Sequence, residues 1–337
     1  MMQTALRVVA SLGLLAATLW AIMALWLRLP FPAPARALVA AAFVIAMLIV
    51  ARWLWLGRNR QALLSFGLPW AALLGWWATL LPSHARDWQA DMAHIATARI
   101  TGDRLVVNNV RNFRWRSETD FDARWETREY RLSQLRSADL FLSYWAGESI
   151  AHAIVSFDFA NSAPLAFSIE IRKEKGEAYS ALKGFFKSYE LAIIAADERD
   201  IVKVRSTIRG EDVRLYRLDM QRATALGLLR EYVAVSNRLA ARPRWYNTLA
   251  VNCTTVIFGM ARRLDPTTML DWRILLPGKL PTYLRERAFV SRAVPISELV
   301  ARSRIGARAA APYPDPGFSP RIRQGVPYPL SVAPAAR

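Results

Sequence analysis

The sequence predicts an α+β protein in which N-terminal transmembrane helices precede a domain with an antiparallel sheet and packed helices. Three observations support this class. The first 82 residues consist largely of apolar runs, and the following part of the chain alternates apolar and polar residues as strands do. After residue 218, apolar residues recur at helical spacing. The change of period separates a strand-rich half from a helix-rich half.

Three apolar runs fill the N-terminal region, at 5–27, 37–57 and 62–82. Each is close to the roughly 20 residues that a helix needs to cross a bilayer. Residues 1–82 contain six arginines and no Asp, Glu or Lys, and the runs are apolar on every face, which favours spans over a buried three-helix core. Pro69 makes the third run the weakest, so two spans are the alternative to three.

The basic residues of this region predict its orientation. Arg52, Arg58 and Arg60 cluster around the second connection, which the positive-inside rule places in the cytoplasm. Arg28 and Arg36 in the first connection oppose this assignment. We therefore expect a multi-pass membrane protein with everything after the third run outside the cytoplasm, which for a bacterial inner membrane is the periplasmic side.

We divide the chain into a membrane region (1–82), a periplasmic catalytic domain (83–305) and a proline-rich tail (306–337) that is extended or disordered. All 27 acidic residues and all but six of the 45 basic residues follow the membrane region, so the rest is still basic. Such a charge suits anionic lipid headgroups or merely solvates the surface. Tethering and export argue against nucleic acid as a partner.

Strands and helices are predicted in succession along the domain. The expected strands lie at 104–110, 127–132, 138–145, 150–159, 165–172, 191–196, 201–208 and 212–218. The expected helices lie at 220–241 and 252–264, with weaker ones at 281–289 and 296–303. Residues 197–216 alternate acidic and basic side chains, which indicates a salt-bridged surface. The alternative is a substrate clamp, for which Arg199 and Arg209 are the candidates.

The only cysteine, Cys253, lies in the stretch YNTLAVNCTTVIFGM at 246–260. It cannot form an intramolecular disulfide, and an exported lone thiol is either buried or useful. Asn252 is a good N-cap, so Cys253 falls in the first turn of a helix. The helix dipole and the free N–H groups there favour a thiolate nucleophile.

A base for this thiol is sought among three histidines, of which only His152 starts an alternating strand. A cysteine at a helix start against a strand histidine is the papain-like arrangement. Glu170, on the next predicted strand, is our choice to orient the imidazole. The oxyanion donor is expected to be the Cys253 backbone N–H, supported by Asn252 or Tyr246.

Each of these residues has a structural alternative. A lone cysteine is more often a small buried hydrophobe, and a lone histidine is more often a satisfied structural residue. No Cys/His cluster has the spacing of metal ligands, and no Gly-rich phosphate loop occurs, so neither a metal nor a cofactor is expected. Composition therefore leaves both a cysteine enzyme and a non-enzymatic membrane-anchored scaffold open.

Five segments in order carry a resemblance to a known family: NNVRNFRW (108–115), ESIAHAIVSFDF (148–159), SIEIRKEKGEAYS (168–180), DERDIVKVRSTIRGEDVRLY (197–216) and YNTLAVNCTT (246–255). Together they resemble the Lnb-type lipoprotein N-acyltransferase family of bacterial membrane proteins. The resemblance implies a circularly permuted papain-like (NlpC-type) domain, in which the histidine strand precedes the nucleophile helix. Other permuted members use a histidine at the position of Glu170.

By this resemblance, Cys253 carries an acyl group and His152 is its base. The implied function is transfer of a fatty acyl chain from a membrane phospholipid, through a Cys253 thioester, to the amino group of a bacterial lipoprotein. The alternative enzyme is an NlpC-type cysteine amidase or peptidase acting on cell-wall peptides. The scaffold alternative predicts that Cys253 and His152 lie far apart, or are both buried without an opening.

Overall fold

The computed structural model describes residues 2–311, 313 and 315–328. The chain forms two compact units. The first contains the residues up to His84 together with Tyr179–Glu190 and Trp245–Thr248, and the second contains the remaining described residues. The two inserted segments were assigned to the catalytic domain by sequence, because a linear boundary cannot reveal packing between distant stretches.

The first unit is built on three long helices, α1 (Met2–Arg28), α2 (Ala33–Trp55) and α3 (Asn59–Thr79). All three are long and apolar enough to cross a membrane. Pro69 lies inside α3 without ending it. Helices therefore form where the three apolar runs predicted them, although the third ends three residues earlier than expected.

The inserted segment Tyr179–Glu190 packs against these helices within the same unit. The Phe186 ring lies 6.2 Å from that of Trp20, centroid to centroid. The Lys187 ammonium donates a hydrogen bond to the Trp77 carbonyl at the end of α3 (2.7 Å). An aromatic contact and a charged donor thus attach this segment to the ends of the apolar helices.

The second unit contains a large mixed sheet with the strand order β1-β2-β9-β8-β7-β6-β10, and β5 pairs with β2 on the side. The strands are β1 (Thr97–Thr101), β2 (Arg104–Arg111), β3 (Arg114–Trp115), β4 (Phe121–Asp122), β5 (Trp125–Arg131), β6 (Leu135–Ala146), β7 (Ile150–Phe159), β8 (Ser162–Arg172), β9 (Glu190–Asp197) and β10 (Asp212–Arg217). The short strands β3 and β4 form a separate pair.

The α+β class is confirmed, but the sheet is not purely antiparallel. β2 and β9 pair in parallel, with Val110 opposite Ala195. A parallel pair needs a long connection. The strands β3 to β8 lie between β2 and β9 along the chain and provide it. The central hairpins β6–β7 and β7–β8 are antiparallel, as alternation predicted.

One predicted strand is wrong. Residues 201–208 belong to a helical segment, α4 (Glu198–Lys203), which continues as a π-helical turn (Val204–Ile208). The Asp197 side chain caps its start by accepting a hydrogen bond from the Arg199 N–H. β-branched residues suggested a strand, but the cap and the burial of the helix override that local preference.

The prediction that the charges of 197–216 lie on the surface is also wrong. Glu198, Asp200, Lys203 and Arg205 are all buried. Buried charges need partners inside the fold, so this stretch forms an internal ion-pair network rather than a solvated face.

The helices of the second unit after the sheet are α5 (Arg222–Ala241), α6 (Cys253–Leu264), α7 (Leu280–Glu286), α8 (Ile296–Ser303), α9 (Gly306–Ala309) and α10 (Phe318–Ile322). α5 and α6 lie where the helical period predicted them. The weaker helical predictions correspond to α7 and α8.

The expectation of an extended or disordered tail over 306–337 does not hold for its described part. α9 and α10 fold there, and Phe318 and Ile322 are fully buried in the main core. Arg323 forms salt bridges with the buried carboxylates of Asp139 and Glu198. Proline content suggested an extended chain, but apolar burial and buried charge pairs fix this part. Residues 329–337 lie outside the described residues.

Candidate active site

Cys253 is the first residue of α6, whose start is closed by a reciprocal cap. The Asn252 side-chain oxygen accepts hydrogen bonds from the backbone N–H groups of Thr254 (3.0 Å) and Thr255 (2.9 Å). The Thr255 hydroxyl accepts one from the Asn252 N–H (2.8 Å). The cap holds Cys253 in the first turn, where the helix dipole stabilises a thiolate. The thiol is partly exposed.

His152 lies on β7 and reaches two residues of the neighbouring strand β8. Its Nε2 is 2.6 Å from the Ser168 hydroxyl and 3.1 Å from Glu170 Oε1. Ser168 in turn donates a hydrogen bond to Glu170 (2.6 Å), since both residues lie on the same face of β8. The Cys253 thiol lies close enough to the imidazole for each group to shift the pKa of the other.

Charges and hydrogen bonds in this cluster shift the pKa values of His152 and Cys253. Burial disfavours the imidazolium, but the Glu170 carboxylate and the Cys253 hydrogen bond outweigh it and raise the pKa of His152 to about 9. Burial also disfavours the thiolate, yet hydrogen bonds from His152 and the Ala153 N–H lower the pKa of Cys253. The arrangement therefore favours a thiolate–imidazolium pair, the reactive form of a cysteine nucleophile.

A buried arginine, Arg205, holds Glu170 from the other side. Its guanidinium donates to Glu170 Oε1 (2.8 Å) and to Glu211 Oε2 (3.4 Å), and Glu211 also accepts from the Ser143 hydroxyl. Burial raises the pKa of Glu170, but the charges of His152 and Arg205 outweigh it and hold that pKa well below its usual range. Glu170 is thus a permanent anion beside the imidazole.

Tyr232 of α5 adds a buried hydroxyl to this region. Its ring stacks on Phe167 at 5.0 Å between centroids, and its hydroxyl has no hydrogen-bond partner among the described residues. Burial, together with the charge of Cys253, raises the pKa of Tyr232. The phenol therefore stays neutral and can only act as a donor towards a developing negative charge.

Comparison with known families decides the class of this domain. Residues 121–278 match the model described as the Lnb N-terminal periplasmic domain. This matched segment is an Lnb-type domain. The matched region includes His152, Glu170, Arg205 and Cys253, so the whole cluster lies within the Lnb domain. Comparison with curated proteins and with solved structures gave no match.

Two of the segments that carry the resemblance, 108–115 and 197–216, meet in the second compact unit as a structural cluster. Asp200 accepts two hydrogen bonds from the Arg111 guanidinium (2.9 and 3.0 Å). It also accepts from the Phe113 N–H (2.9 Å) and the Trp115 indole (2.7 Å). This fully satisfied buried carboxylate fixes α4, and α4 leads directly into the turn that carries Arg205.

The two arginines chosen as clamp candidates do not join the cluster of Cys253, His152 and Glu170. Arg199 pairs with Asp197 (2.9 Å), and Arg209 lies 3.4 Å from Glu118. Among the described residues, neither is hydrogen-bonded or ion-paired with Cys253 or His152. Sequence reasoning missed Arg205, which lies between them, because the many charges of 197–216 give no local signal that separates one arginine from another.

Asn252 and Tyr246, the two residues predicted to support the oxyanion donor, have different positions in the structure. The Asn252 side-chain oxygen is used as the helix cap, so its support for the site is the position of Cys253. Tyr246 belongs to the first compact unit, where its backbone N–H donates to the Tyr189 carbonyl (2.9 Å). Its role as an oxyanion donor, like that of the Cys253 N–H, stays a prediction.

Metal ligation is not suggested by the part of the Lnb domain that the structure describes. No group of three or more His, Cys, Asp or Glu side chains suited to a metal ion occurs among the described residues. The chemistry that the cluster can perform is nucleophilic: a thiolate, an imidazole that moves a proton, and a carboxylate that orients it.

Proposed function

We propose that this Lnb domain is a membrane-bound cysteine acyltransferase. It moves a fatty acyl chain from a membrane phospholipid, through a thioester on Cys253, to the amino group of a bacterial lipoprotein. The observation that carries the proposal is that Cys253, at the start of a capped helix, lies within interaction range of His152, whose Nε2 is 3.1 Å from Glu170. The apolar N-terminal helices would keep the domain beside its lipid donor.

Acyl transfer takes two steps at this cluster. In the first, the Cys253 thiolate attacks the ester carbonyl of the lipid, the C–O bond breaks, and the His152 imidazolium protonates the departing alcohol. In the second, the amine of the acceptor attacks the thioester, His152 takes a proton from it, and the thiolate leaves. Glu170 keeps the imidazole oriented and stabilises its charged form.

The scaffold alternative is disfavoured by two observations. Cys253 and His152 lie within interaction range although they are far apart in sequence, and the Cys253 residue is partly exposed. The cell-wall amidase alternative uses the same thioester chemistry but starts from an amide and ends with water. The experiment below therefore distinguishes the enzymes by their acyl donor and by the fate of the acyl group.

The test uses the full chain purified into bilayer nanodiscs that contain a phospholipid with a labelled acyl chain. We expect a labelled adduct on the protein that neutral hydroxylamine removes, and its transfer to a peptide carrying a diacylglyceryl-cysteine N-terminus. Cys253→Ala and His152→Ala should lose the adduct. His94→Ala is the matched control, because His94 packs against Trp125 outside the cluster and should keep it.

Undiminished labelling of the Cys253→Ala protein would end the acyltransferase proposal. Cleavage of a cell-wall peptide by the wild type, without any lipid adduct, would favour the amidase instead. Thermal unfolding of each variant shows whether a lost adduct reflects chemistry or misfolding.

A further inference from the structure

A short segment beside the catalytic helix exposes an unusual amount of apolar surface. Within residues 265–275, here called the apolar loop, four large side chains face solvent: Met269 (64% exposed), Leu270 (73%), Trp272 (62%) and Leu275 (48%). Single exposed apolar residues are normal, but a contiguous group of this size marks an interaction surface.

The apolar loop is held in shape by its polar residues. The Asp265 carboxylate accepts a hydrogen bond from the Thr267 N–H (2.9 Å). The Asp271 carboxylate caps the 3₁₀ turn Trp272–Ile274 by accepting from the Arg273 N–H (2.8 Å). Ordinary turn chemistry therefore fixes the backbone while the apolar side chains remain outside, so their exposure is built into the fold.

The C-terminal side of the apolar loop is attached to α6 and to the turn before β7, which belong to the same unit. The hydroxyl of Thr254, the residue after Cys253, donates to the Ile274 carbonyl (2.6 Å). Just beyond the loop, the Gly278 N–H donates to the Ser149 carbonyl in the turn before β7 (3.1 Å). The exposed apolar surface is consequently anchored next to both the thiol helix and the histidine strand.

The charge around the apolar loop selects the kind of partner. Residues 262–287 contain basic side chains at 262, 263, 273, 279, 285 and 287, against acidic ones at 265, 271 and 286. Exposed Trp and Leu bordered by Arg and Lys are typical of surfaces that lie in the interface of an anionic bilayer. Basic side chains are attracted to the headgroups of such a bilayer.

We propose that the apolar loop is a bilayer-binding surface, which inserts Met269, Leu270, Trp272 and Leu275 into the headgroup–acyl boundary of an anionic membrane. The inserted loop places the thiol helix against the lipid surface, where an ester carbonyl can approach Cys253. The membrane contact itself is independent of catalysis; its use for acyl entry rests on the proposed function.

The experiment measures membrane depth directly. In a Cys253→Ser background, a single cysteine replaces Leu270 and carries an environment-sensitive fluorophore, in the full chain reconstituted into nanodiscs with or without anionic lipid. Lys175→Cys is the matched aqueous control, since Lys175 is an exposed surface residue whose ammonium pairs with Asp87. We expect nitroxide-labelled lipid to quench the probe at 270 several-fold more than the probe at 175, and the difference to grow with anionic lipid.

Equal quenching of the two probes by aqueous iodide and by nitroxide lipid would overturn the bilayer-binding proposal, including the case in which the loop docks a protein. A buried probe at 270 combined with no acyl adduct on wild-type protein would keep the membrane contact and reject the enzyme. An acyl adduct on the wild-type protein, combined with a solvent-exposed probe at position 270, would keep the enzyme and reject the membrane contact.

Discussion

At the scale of single residues, the reactivity of Cys253 depends on a series of buried neighbours that the sequence separates widely. His152 contacts the thiol, Glu170 and Ser168 contact the imidazole, and Arg205 holds Glu170. Removing one member of such a series leaves the next with an unpaired buried charge, so its effect exceeds that of the lost contact alone.

Glu170→Gln provides a test at this scale. The Glu170 carboxylate raises the pKa of His152 to about 9, so its removal should lower that pKa clearly. The chain has three histidines, so ¹³C-labelled imidazole carbons can be followed individually by NMR titration. Glu211→Gln is the matched control, because Glu211 also pairs with Arg205 but does not contact His152.

The sign of the pH dependence follows from the raised pKa. The pKa of His152 is higher in the folded protein (about 9) than its unfolded value of 6.5. Protonated His152 therefore stabilises the folded state fully below pH 6.5, and this stabilisation is lost as the pH rises through about 9. An unchanged titration midpoint in Glu170→Gln, or an equal shift in Glu211→Gln, would contradict the role assigned to Glu170.

At the scale of elements, the position of Cys253 relative to His152 depends on how α6 and the β6–β7 hairpin are joined. Gly278 lies close to this hairpin: its N–H donates to Ser149, and its carbonyl accepts from the Tyr144 hydroxyl (3.0 Å). A Cβ at Gly278 would lie 2.5 Å from the Glu148 carbonyl oxygen. Backbone atoms cannot move aside as a flexible side chain can.

We expect Gly278→Ala to destabilise the protein by about 1–3 kcal/mol, the usual cost of overpacking. The control is Gly306→Ala, because a Cβ there meets nothing within 4 Å. Thermal unfolding of both variants of the full chain should show a lower melting temperature for the first alone. Equal melting temperatures would mean that the hairpin accommodates the extra methyl group and is not tightly fixed.

At the scale of the whole molecule, the apolar helices and the Lnb domain imply a protein that works at a membrane surface. The arginines around the connection between α2 and α3 predict that this connection is cytoplasmic, and that the Lnb domain is periplasmic. The family description agrees with the second part of this prediction.

Cysteine labelling tests this topology. In a Cys253→Ser background, single cysteines replace Arg60 in the predicted cytoplasmic connection and Lys175 in the domain. A membrane-impermeant maleimide should label position 175 in intact bacterial spheroplasts, and position 60 only after the membrane is permeabilised. Labelling of position 60 in intact spheroplasts would reverse the orientation and remove the periplasmic acceptor from reach.

Much of the fold was predictable because its signals are local. The apolar runs gave three helices, alternation gave the strands around His152 and Glu170, and Asn252 gave the start of α6. The strand predicted at 201–208 failed because β-branched residues do not reveal that Asp197 caps a buried helix. The prediction of an extended tail failed for its described part because the burial of that part depends on carboxylates far away in the chain, Asp139 and Glu198.

The sequence by itself determined the residue types of the site: one thiol at a capped helix start, one histidine on a strand, and an acidic residue on the next strand. Only the tertiary structure decided that Arg205, rather than Arg199 or Arg209, completes the cluster. Only it placed the apolar loop beside the thiol. The physical reason is that caps and periodicity act between neighbours in sequence, whereas ion pairing and side-chain exposure depend on which distant segments fold together.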